Sequence, residues 1–498
     1  MKILIFAVNR TRMWSKPWKF AAGILFGGGL FVVGLVLQLT MGPVDWWLFA
    51  APVNGIMLVL LLGFLGLMFL LRKKVYVFEW MMHGPAAVAA IAWALGITLV
   101  MGLIPQTRAG GVLGLSQMLS FWPFVLIWTW MMVISGLATI NHLLRFNRKE
   151  VPFLLNHLGV FVAIVAATLG SADVQQLQMT VAYEAPERRA LSDDYGVVEP
   201  GLTIELHQFT VDYYEDGMPR RFASDISVCA EDGKRIRGTV EVNQPLKVNG
   251  WKIYQYGYDT MLGSKSPYSI LLLVNDPWLP AVYTGIFLML AGALSLLFLR
   301  HASKRKWVLL AALLLTGFFT YLTVSRMGPS ARALPPALQS PWFIPHLIVY
   351  MAGYALLATA TLLAIYILCF RRHSGLDPDP SLARDGDRKG AKSPGQEMSI
   401  TDNLVYVGLA FLTFGMLMGA LWAKEAWGHY WTWDPKETWA AITWLCYLLY
   451  LHFRNIQPRE WRKACWILLL AFVCLQICWW GINYLPSAQG LSIHTYGG

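Results

Sequence analysis

Long apolar segments recur along this 498-residue chain, and they constrain its fold more than any other feature. The hydrocarbon core of a bilayer is about 30 Å thick, so about 20 consecutive apolar residues cross it as a helix. By that length rule we predict about eleven transmembrane helices. They lie near residues 20–39, 49–71, 84–103, 121–143, 153–170, 279–299, 307–324, 346–370, 401–421, 440–452 and 464–484. A hydrophobic content of 56% is not that of a soluble protein.

Basic residues concentrate on one side of the predicted helices. If the basic segment 1–19 lies in the cytoplasm, the alternating topology places 25 of the 40 Lys and Arg residues in cytoplasmic segments. Short cytoplasmic loops of membrane proteins carry this excess. The net charge of +11 therefore indicates a multi-pass membrane topology and not nucleic-acid binding. The first apolar run is too long for a typical signal peptide, so we expect it to remain as a helix.

Residues 171–277 differ from the rest of the chain because polar and apolar residues alternate there. The segments 201–206, 238–242 and 251–256 show the two-residue period of half-buried strands, and glycines between them favour turns. We therefore predict an α-helical polytopic membrane protein with a small β-rich extracytoplasmic domain. In this division, 1–170 holds five transmembrane helices, 171–277 forms the β-rich periplasmic domain, and 278–498 holds the remaining helices.

The six cysteines form no C-x-x-C pair, so the chain is not itself a c-type cytochrome. Cys474 and Cys478 lie four residues apart in an apolar run, a spacing typical of small core residues on one helix face. Cys229 stands alone in the polar segment, so we expect no disulfide within that domain.

The most unusual segment, residues 422–439, reads WAKEAWGHYWTWDPKETW and joins five tryptophans to several charged residues. One interpretation is an aromatic belt at the membrane surface, although belt residues are usually scattered among many helix ends. The other is a flat aromatic platform for a large planar, amphipathic ligand, because indoles bury a large apolar area. The tryptophans are Trp422, Trp427, Trp431, Trp433 and Trp439.

This segment closely resembles the tryptophan-rich WWD signature of haem-handling proteins. The longer stretch WGHYWTWDPKETWAAITWLCYLLYLHFR, residues 427–454, resembles the CcsA-type subunit of System II cytochrome c synthases. In the other half, NHLGVFVAIVAATLG at 156–170 and VNQPLKVNGWKIYQY at 242–256, followed by Asp276-Pro277, resemble ResB/CcsB proteins. From about residue 110 the chain thus resembles a fused CcsBA-type synthase, with a shorter outside domain and without the family's usual last span.

The resemblance implies a cytochrome c haem lyase that moves haem b across the membrane and joins it through thioethers to the CXXCH segment of an apocytochrome c. It implies apocytochrome c, haem, thiol-reducing partner proteins and the lipid bilayer as partners, and no nucleic acid. The expected location is the bacterial inner (cytoplasmic) membrane, with the active site on the periplasmic side. Three alternatives stay open: a haem exporter without ligase activity, a transmembrane b-type electron-transfer cytochrome, and an assembly scaffold that binds no haem.

Four of the ten histidines fall at matching depths in the predicted topology. His157 and His452 lie at inner helix ends, whereas His346 and His494 lie at outer ends beside the tryptophan-rich segment. Imidazole is an axial ligand of haem iron, and ionisable residues inside a membrane are functional by default. The resemblance implies that each pair binds one haem iron, and that His346 and His494 act at the catalytic end.

Other residues complete the predicted site. His83 and His142 also lie near inner helix ends; we interpret them as structural, with either as the replacement if His157 is not the ligand. Asp434 precedes Pro435, so it either contacts haem or caps the helix that follows. The expected haem contacts besides the histidines are Trp422, Trp427, Trp431, Trp433, Asp434 and Trp439, with Lys424 and Lys436 as partners for the propionates.

Overall fold

The structure is a computed structural model that describes residues 16–107, 114–193, 195–298, 334–370 and 395–488, together with the single positions 314, 317 and 321. Within these ranges it contains eleven α-helices that are joined by turns, short 3-10 segments and the strands described below. They are α1 (Phe20–Met41), α2 (Val53–Leu71), α3 (Tyr76–Met81), α4 (Gly84–Leu103), α5 (Trp122–Leu143), α6 (Val151–Gly170), α7 (Leu279–Phe298), α8 (Phe343–Phe370), α9 (Gly395–Trp427), α10 (Pro435–Ile456) and α11 (Trp461–Trp479).

Nine helices in the described ranges are long and apolar enough to cross a membrane. The two others are the short α3 and the 22-residue α10, whose ends carry polar residues such as Lys436, Glu437 and Arg454. The span that we predict at 307–324 lies outside the described residues, apart from three single positions. The predicted fold class, an α-helical polytopic membrane protein with a small β-rich region, is confirmed.

Helices α6 and α7 pack together more closely than ordinary side chains permit. A Cβ atom at Gly285 would lie 2.5 Å from the backbone nitrogen of Ala163, and one at Gly159 would lie 2.7 Å from that of Met289. Small residues let membrane helices approach each other where lipid supplies no hydrophobic driving force. This contact fixes α6, which carries His157, against the first helix after the strands.

Nine strands lie between α6 and α7. They are β1 (Gln175–Ala182), β2 (Ala190–Ser192), β3 (Val197–Val198), β4 (Leu202–Tyr213), β5 (Pro219–Ala230), β6 (Arg235–Glu241), β7 (Leu246–Val248), β8 (Trp251–Tyr258) and β9 (Tyr268–Asn275). Six form an antiparallel sheet in the order β3-β2-β1-β9-β8-β7, and three form a second in the order β4-β5-β6. Inward-facing apolar residues of both sheets form one core, as in a β-sandwich.

The other face of the larger sheet packs against the helical part of the molecule. Tyr254, Leu272 and Val274 form a small buried cluster there. A Cβ atom at Gly428 would lie 3.0 to 3.3 Å from these side chains, and Gly428 has a φ of +83° that other residues rarely adopt. Glycine is therefore required where the tryptophan-rich segment passes beneath the sheet.

Candidate functional site

One candidate site lies at the end of the helix bundle opposite the strands. His157 sits in the first half of α6, and His452 lies near the C-terminal end of α10. Their ring centroids are 6.2 Å apart, with an angle of 65° between the ring planes. Two imidazoles that bind one metal ion from opposite sides, each at about 2 Å, have centroids about 6 Å apart. The spacing of this pair therefore fits one shared iron.

Backbone hydrogen bonds set the tautomer of both rings. The Nδ1–H of His157 donates to the carbonyl of Phe153 at 2.9 Å, and that of His452 donates to the carbonyl of Leu448 at 2.8 Å. A neutral imidazole that is protonated at Nδ1 keeps its lone pair on Nε2, where it can bind a metal. Such bonds also hold the ring in one orientation. In both rings Nε2 therefore carries the lone pair that can bind a metal ion.

Two further histidines among the residues described at this end have different surroundings. His142 Nδ1 lies 2.9 Å from a carboxylate oxygen of Glu150, and the ring packs on Phe153 at 3.8 Å. Phe153 stacks in turn on His157 at 3.7 Å, so the phenyl ring separates the two imidazoles. His83 is exposed at the start of α4. This geometry favours His157 over both as the inner ligand, an assignment that stays a prediction.

His346 lies at the opposite end of the bundle, in the first turn of α8. Its Nδ1–H donates to the carbonyl of Gly415 at 2.7 Å. His157 and His452, called the inner pair below, make the same kind of bond to a backbone carbonyl. Its ring centroid is 5.9 Å from that of Trp422, and a Cβ atom at Gly419 would lie 2.8 Å from the imidazole. The expected partner His494 lies outside the described residues, so this pairing stays a prediction.

The five tryptophans of residues 422–439 divide among three surroundings. Trp422 and Trp427 contact each other at 5.2 Å. Trp431 and Trp433 meet edge to face at 5.8 Å and line a cavity. Trp439 is buried among the helices, with its indole N–H donated to a backbone carbonyl of α4. The five indoles therefore lie on three separate surfaces and not on one, because a turn redirects the chain between α9 and α10. Haem contact by these tryptophans stays a prediction.

Asp434 caps α10. Its carboxylate accepts from the Lys436 N–H at 2.8 Å, while the Glu437 carboxylate accepts from the N–H groups of Asp434 at 3.2 Å and Thr432 at 2.7 Å. This capping box satisfies donors that the first helical turn leaves without a partner. It also secures a turn in which Trp433 has a φ of +59°, uncommon for a residue other than glycine. The capping interpretation is confirmed, and haem contact by Asp434 stays a prediction.

A cavity of about 520 Å³ lies between α5 and α6 on one side and α7, α9 and α10 on the other. Small-molecule sites typically have volumes of about 300–1,000 Å³. The lining runs from Val160 of α6, one helical turn from His157, to Trp431 and Trp433. The cavity wall thus extends from the neighbourhood of the inner histidines to the tryptophan-rich segment.

Helix α9 separates this cavity from His346. At 100° per residue, Gly415 and Gly419 share one face of α9, whereas Ala420 and Lys424 lie on the opposite face. The first two contact His346, and the second two line the cavity. The Trp422–Trp427 surface beside His346 and the Trp431–Trp433 surface in the cavity therefore lie on opposite sides of α9.

A buried ion pair between Lys424 and Asp276 lies in the wall of the cavity. The Nζ–Oδ2 distance is 2.9 Å, and the side chains are 2% and 5% exposed. Burial, together with the charge of Lys424, lowers the pKa of the neighbouring Lys252. Burial raises the pKa of Tyr430, whose ring centroid lies 5.7 Å from the Lys424 ammonium. Sequence reasoning missed this pair, because 148 residues separate its members and no local motif joins them.

Two known families match separate segments of the chain. The cytochrome C assembly protein family matches residues 278–488, and the ResB-like family matches residues 147–266. His157 thus lies in the ResB-like segment and His452 in the other, so each family segment supplies one ring of the inner pair.

Relatives named cytochrome c biogenesis protein CcsA provide the second comparison. The protein of Trieres chinensis is 32% identical over 261 residues, which cover 46% of this chain and 82% of the relative. This chain belongs to the CcsA family. The CcsA protein of Synechococcus sp. (strain JA-2-3B'a(2-13)) is 32% identical over 305 residues, or 49% of this chain and 85% of the relative. The match to CcsA of Synechococcus sp. (strain CC9902), 37% identical over 184 residues, spans 59% of that relative. With the preceding ResB-like segment, the family match fits a fusion of CcsBA type.

Proposed function

We propose that this chain is a cytochrome c haem lyase of the bacterial cytoplasmic membrane, which matures cytochrome c on the periplasmic side. Its substrates are haem b and an apocytochrome c with a CXXCH segment. The observation that carries the proposal is the 6.2 Å spacing of His157 and His452, one from each family segment, with both Nδ1 atoms bound to carbonyl groups. Homologues named for cytochrome c biogenesis support the same role.

In the proposed reaction the inner pair acts first. Nε2 of His157 and Nε2 of His452 bind the haem iron at the cytoplasmic end. The 520 Å³ cavity begins one helical turn from His157 and offers an apolar route toward the tryptophan-rich segment. Histidine ligation on both sides would protect the iron during this transfer, because the axial ligands set its chemistry.

Thioether formation follows at the outer end, where His346 and His494 are the proposed catalytic ligands. Each acceptor thiol adds across one haem vinyl group: a C–S bond forms, the C=C bond becomes single, and the thiol hydrogen ends on the adjacent carbon. This addition needs no net oxidant, but it needs reduced thiols, which explains the expected thiol-reducing partners. The chain supplies orientation, which can lower such a barrier by several kcal/mol. The acceptor histidine then replaces His346 or His494 on the iron.

An in vitro reaction tests the proposal. Purified protein, reduced haem and a CXXCH peptide should give a peptide–haem adduct that resists acid extraction and has the mass of both components. The His346→Ala variant should lose the adduct, whereas His207→Ala should keep it, because His207 bonds to Ser227 within the β-sandwich. Haem binding without any adduct would leave the exporter alternative, and absence of haem from the purified protein would contradict both.

A further inference from the structure

We propose that Lys424 is the anion-binding group of the cavity and exchanges its partner Asp276 for a carboxylate of the incoming ligand. This inference rests on the proposed function, since it names the part of haem, the propionate, that the cavity recognises. The ion pair at 2.9 Å is then the resting state of a binding site. A ligand carboxylate takes the place of the aspartate carboxylate, so Lys424 keeps a counter-ion throughout.

The burial of this pair is the first observation in favour of a binding role. The side chains of Lys424 and Asp276 are almost completely inaccessible, at 2% and 5% exposure. Removing two charges from water costs about as much as their attraction returns, so a buried ion pair is a weak source of stability. Apolar side chains would fill the same space equally well. Its presence in the wall of a cavity points to recognition of a charged ligand.

The composition of the cavity is the second observation. Among the described residues that line it, Lys424 and Asp276 are the members that carry a full charge as Asp, Glu, Lys or Arg. The rest of the wall is mainly apolar and includes the indoles of Trp431, Trp433 and Trp444. A wall of this kind suits a planar, apolar molecule with an acidic edge, because the rings contact its face and the ammonium meets its carboxylate.

The surroundings of Asp276 make the exchange feasible. Lys252 of β8 lies close enough to both members of the pair to interact with them electrostatically. An Asp276 carboxylate that leaves Lys424 therefore still faces a cation. Asp276 also lies between β9 and α7, at the junction of the sandwich with the helices. Ligand binding at Lys424 would thus be sensed where the two parts of the molecule join.

Two porphyrins that differ only in the acidic edge provide the test. Haem and its dimethyl ester are titrated into purified full-length protein in detergent, and binding is followed by absorption. Because the ester offers the ammonium no charged acceptor, the wild-type protein should prefer the free acid by at least about tenfold. The double variant Lys424→Met/Asp276→Asn should bind both with equal affinity. Lys265→Met, the same charge change at an exposed position of the β-sandwich, should keep the preference.

The double variant is used because Lys424→Met alone leaves a buried carboxylate without its partner and can fail to fold for that reason. Equal wild-type affinity for the two porphyrins would overturn the inference but not the proposed function. Retention of the preference in the folded double variant would overturn it as well. Wild-type protein that binds neither porphyrin would contradict both proposals. A preserved preference without thioether product would leave the inference in place and contradict the lyase function alone.

Discussion

At both ends of the helix bundle a histidine Nδ1–H donates to a backbone carbonyl, but the surroundings of the histidines differ. At the inner end, His157 and His452 belong to regular helices and face each other at 6.2 Å. At the outer end, His346 is fixed to α9 beside Trp422. On the other side of α9, Trp431 and Trp433 belong to a turn secured by the cap of α10, and they line the cavity together with the buried Lys424–Asp276 pair. We interpret the inner end as a site that holds a ligand and the outer end as a site that exchanges one.

The largest difference between the two ends is expected when the Lys424–Asp276 ion pair is changed. Lys424→Met should reduce stability by about 3–5 kcal/mol, because the Asp276 carboxylate is left buried without its partner. Adding Asp276→Asn should recover most of that loss, since the group that lost its hydrogen-bonded partner then carries no charge. Thermal unfolding in detergent measures both. Equal stability of the single and double variants would show that the charge of Asp276 is not the cause of the stability loss.

The inner end should respond next most strongly. His157→Ala should weaken haem binding by more than about 100-fold, or about 2.7 kcal/mol, because loss of a ligand exceeds the usual effect of a supporting bond. Free imidazole should restore part of the binding. His83→Ala is the matched control and should bind haem as the wild type does. Unchanged haem affinity in His157→Ala would show that His157 is not a haem ligand.

A smaller change tests the outer histidine alone. Gly419→Ala places a Cβ atom 2.8 Å from the His346 ring, which should shift the ring at a cost of about 1–3 kcal/mol. Adduct formation should fall while binding at the inner pair stays constant. Gly96→Ala on α4, where nothing lies within 4 Å, should be neutral or stabilising by up to about 1 kcal/mol. A similar loss of adduct in both variants would show that the effect of Gly419→Ala does not come from its contact with His346.

The smallest effect is expected at the cap. Glu437→Ala removes one acceptor of the capping box and should lower stability by about 1 kcal/mol. Adduct formation should then decrease less than in His346→Ala, because Glu437 holds a turn whereas His346 is a proposed iron ligand. The two variants are compared at equal expression, and an equal loss of product would refute this ranking.

The fold was largely predictable because membrane helices follow from length and apolarity. Ten of the eleven predicted spans fall on helices of the described residues. The proximity of His157 and His452 was also predictable, since alternating spans place them at the same depth, and their role as iron ligands stays a prediction. Two features were not: the Lys424–Asp276 pair joins positions 148 residues apart, and the directions of the indoles depend on the backbone of Gly428 and Trp433. Long-range pairing and positive φ angles leave no periodic signal in a sequence.

Iron ligation by His157 and His452 is tested most directly by the low-temperature electron paramagnetic resonance spectrum of ferric haem bound to the His346→Ala protein, in which the inner site is isolated. We predict a low-spin signal of two imidazole ligands. It should be lost when either His157 or His452 is also replaced by alanine, and it should persist when His142 is. Survival of the signal after replacement of either His157 or His452, or its loss with His142→Ala, would contradict the assignment of these two residues as the iron ligands.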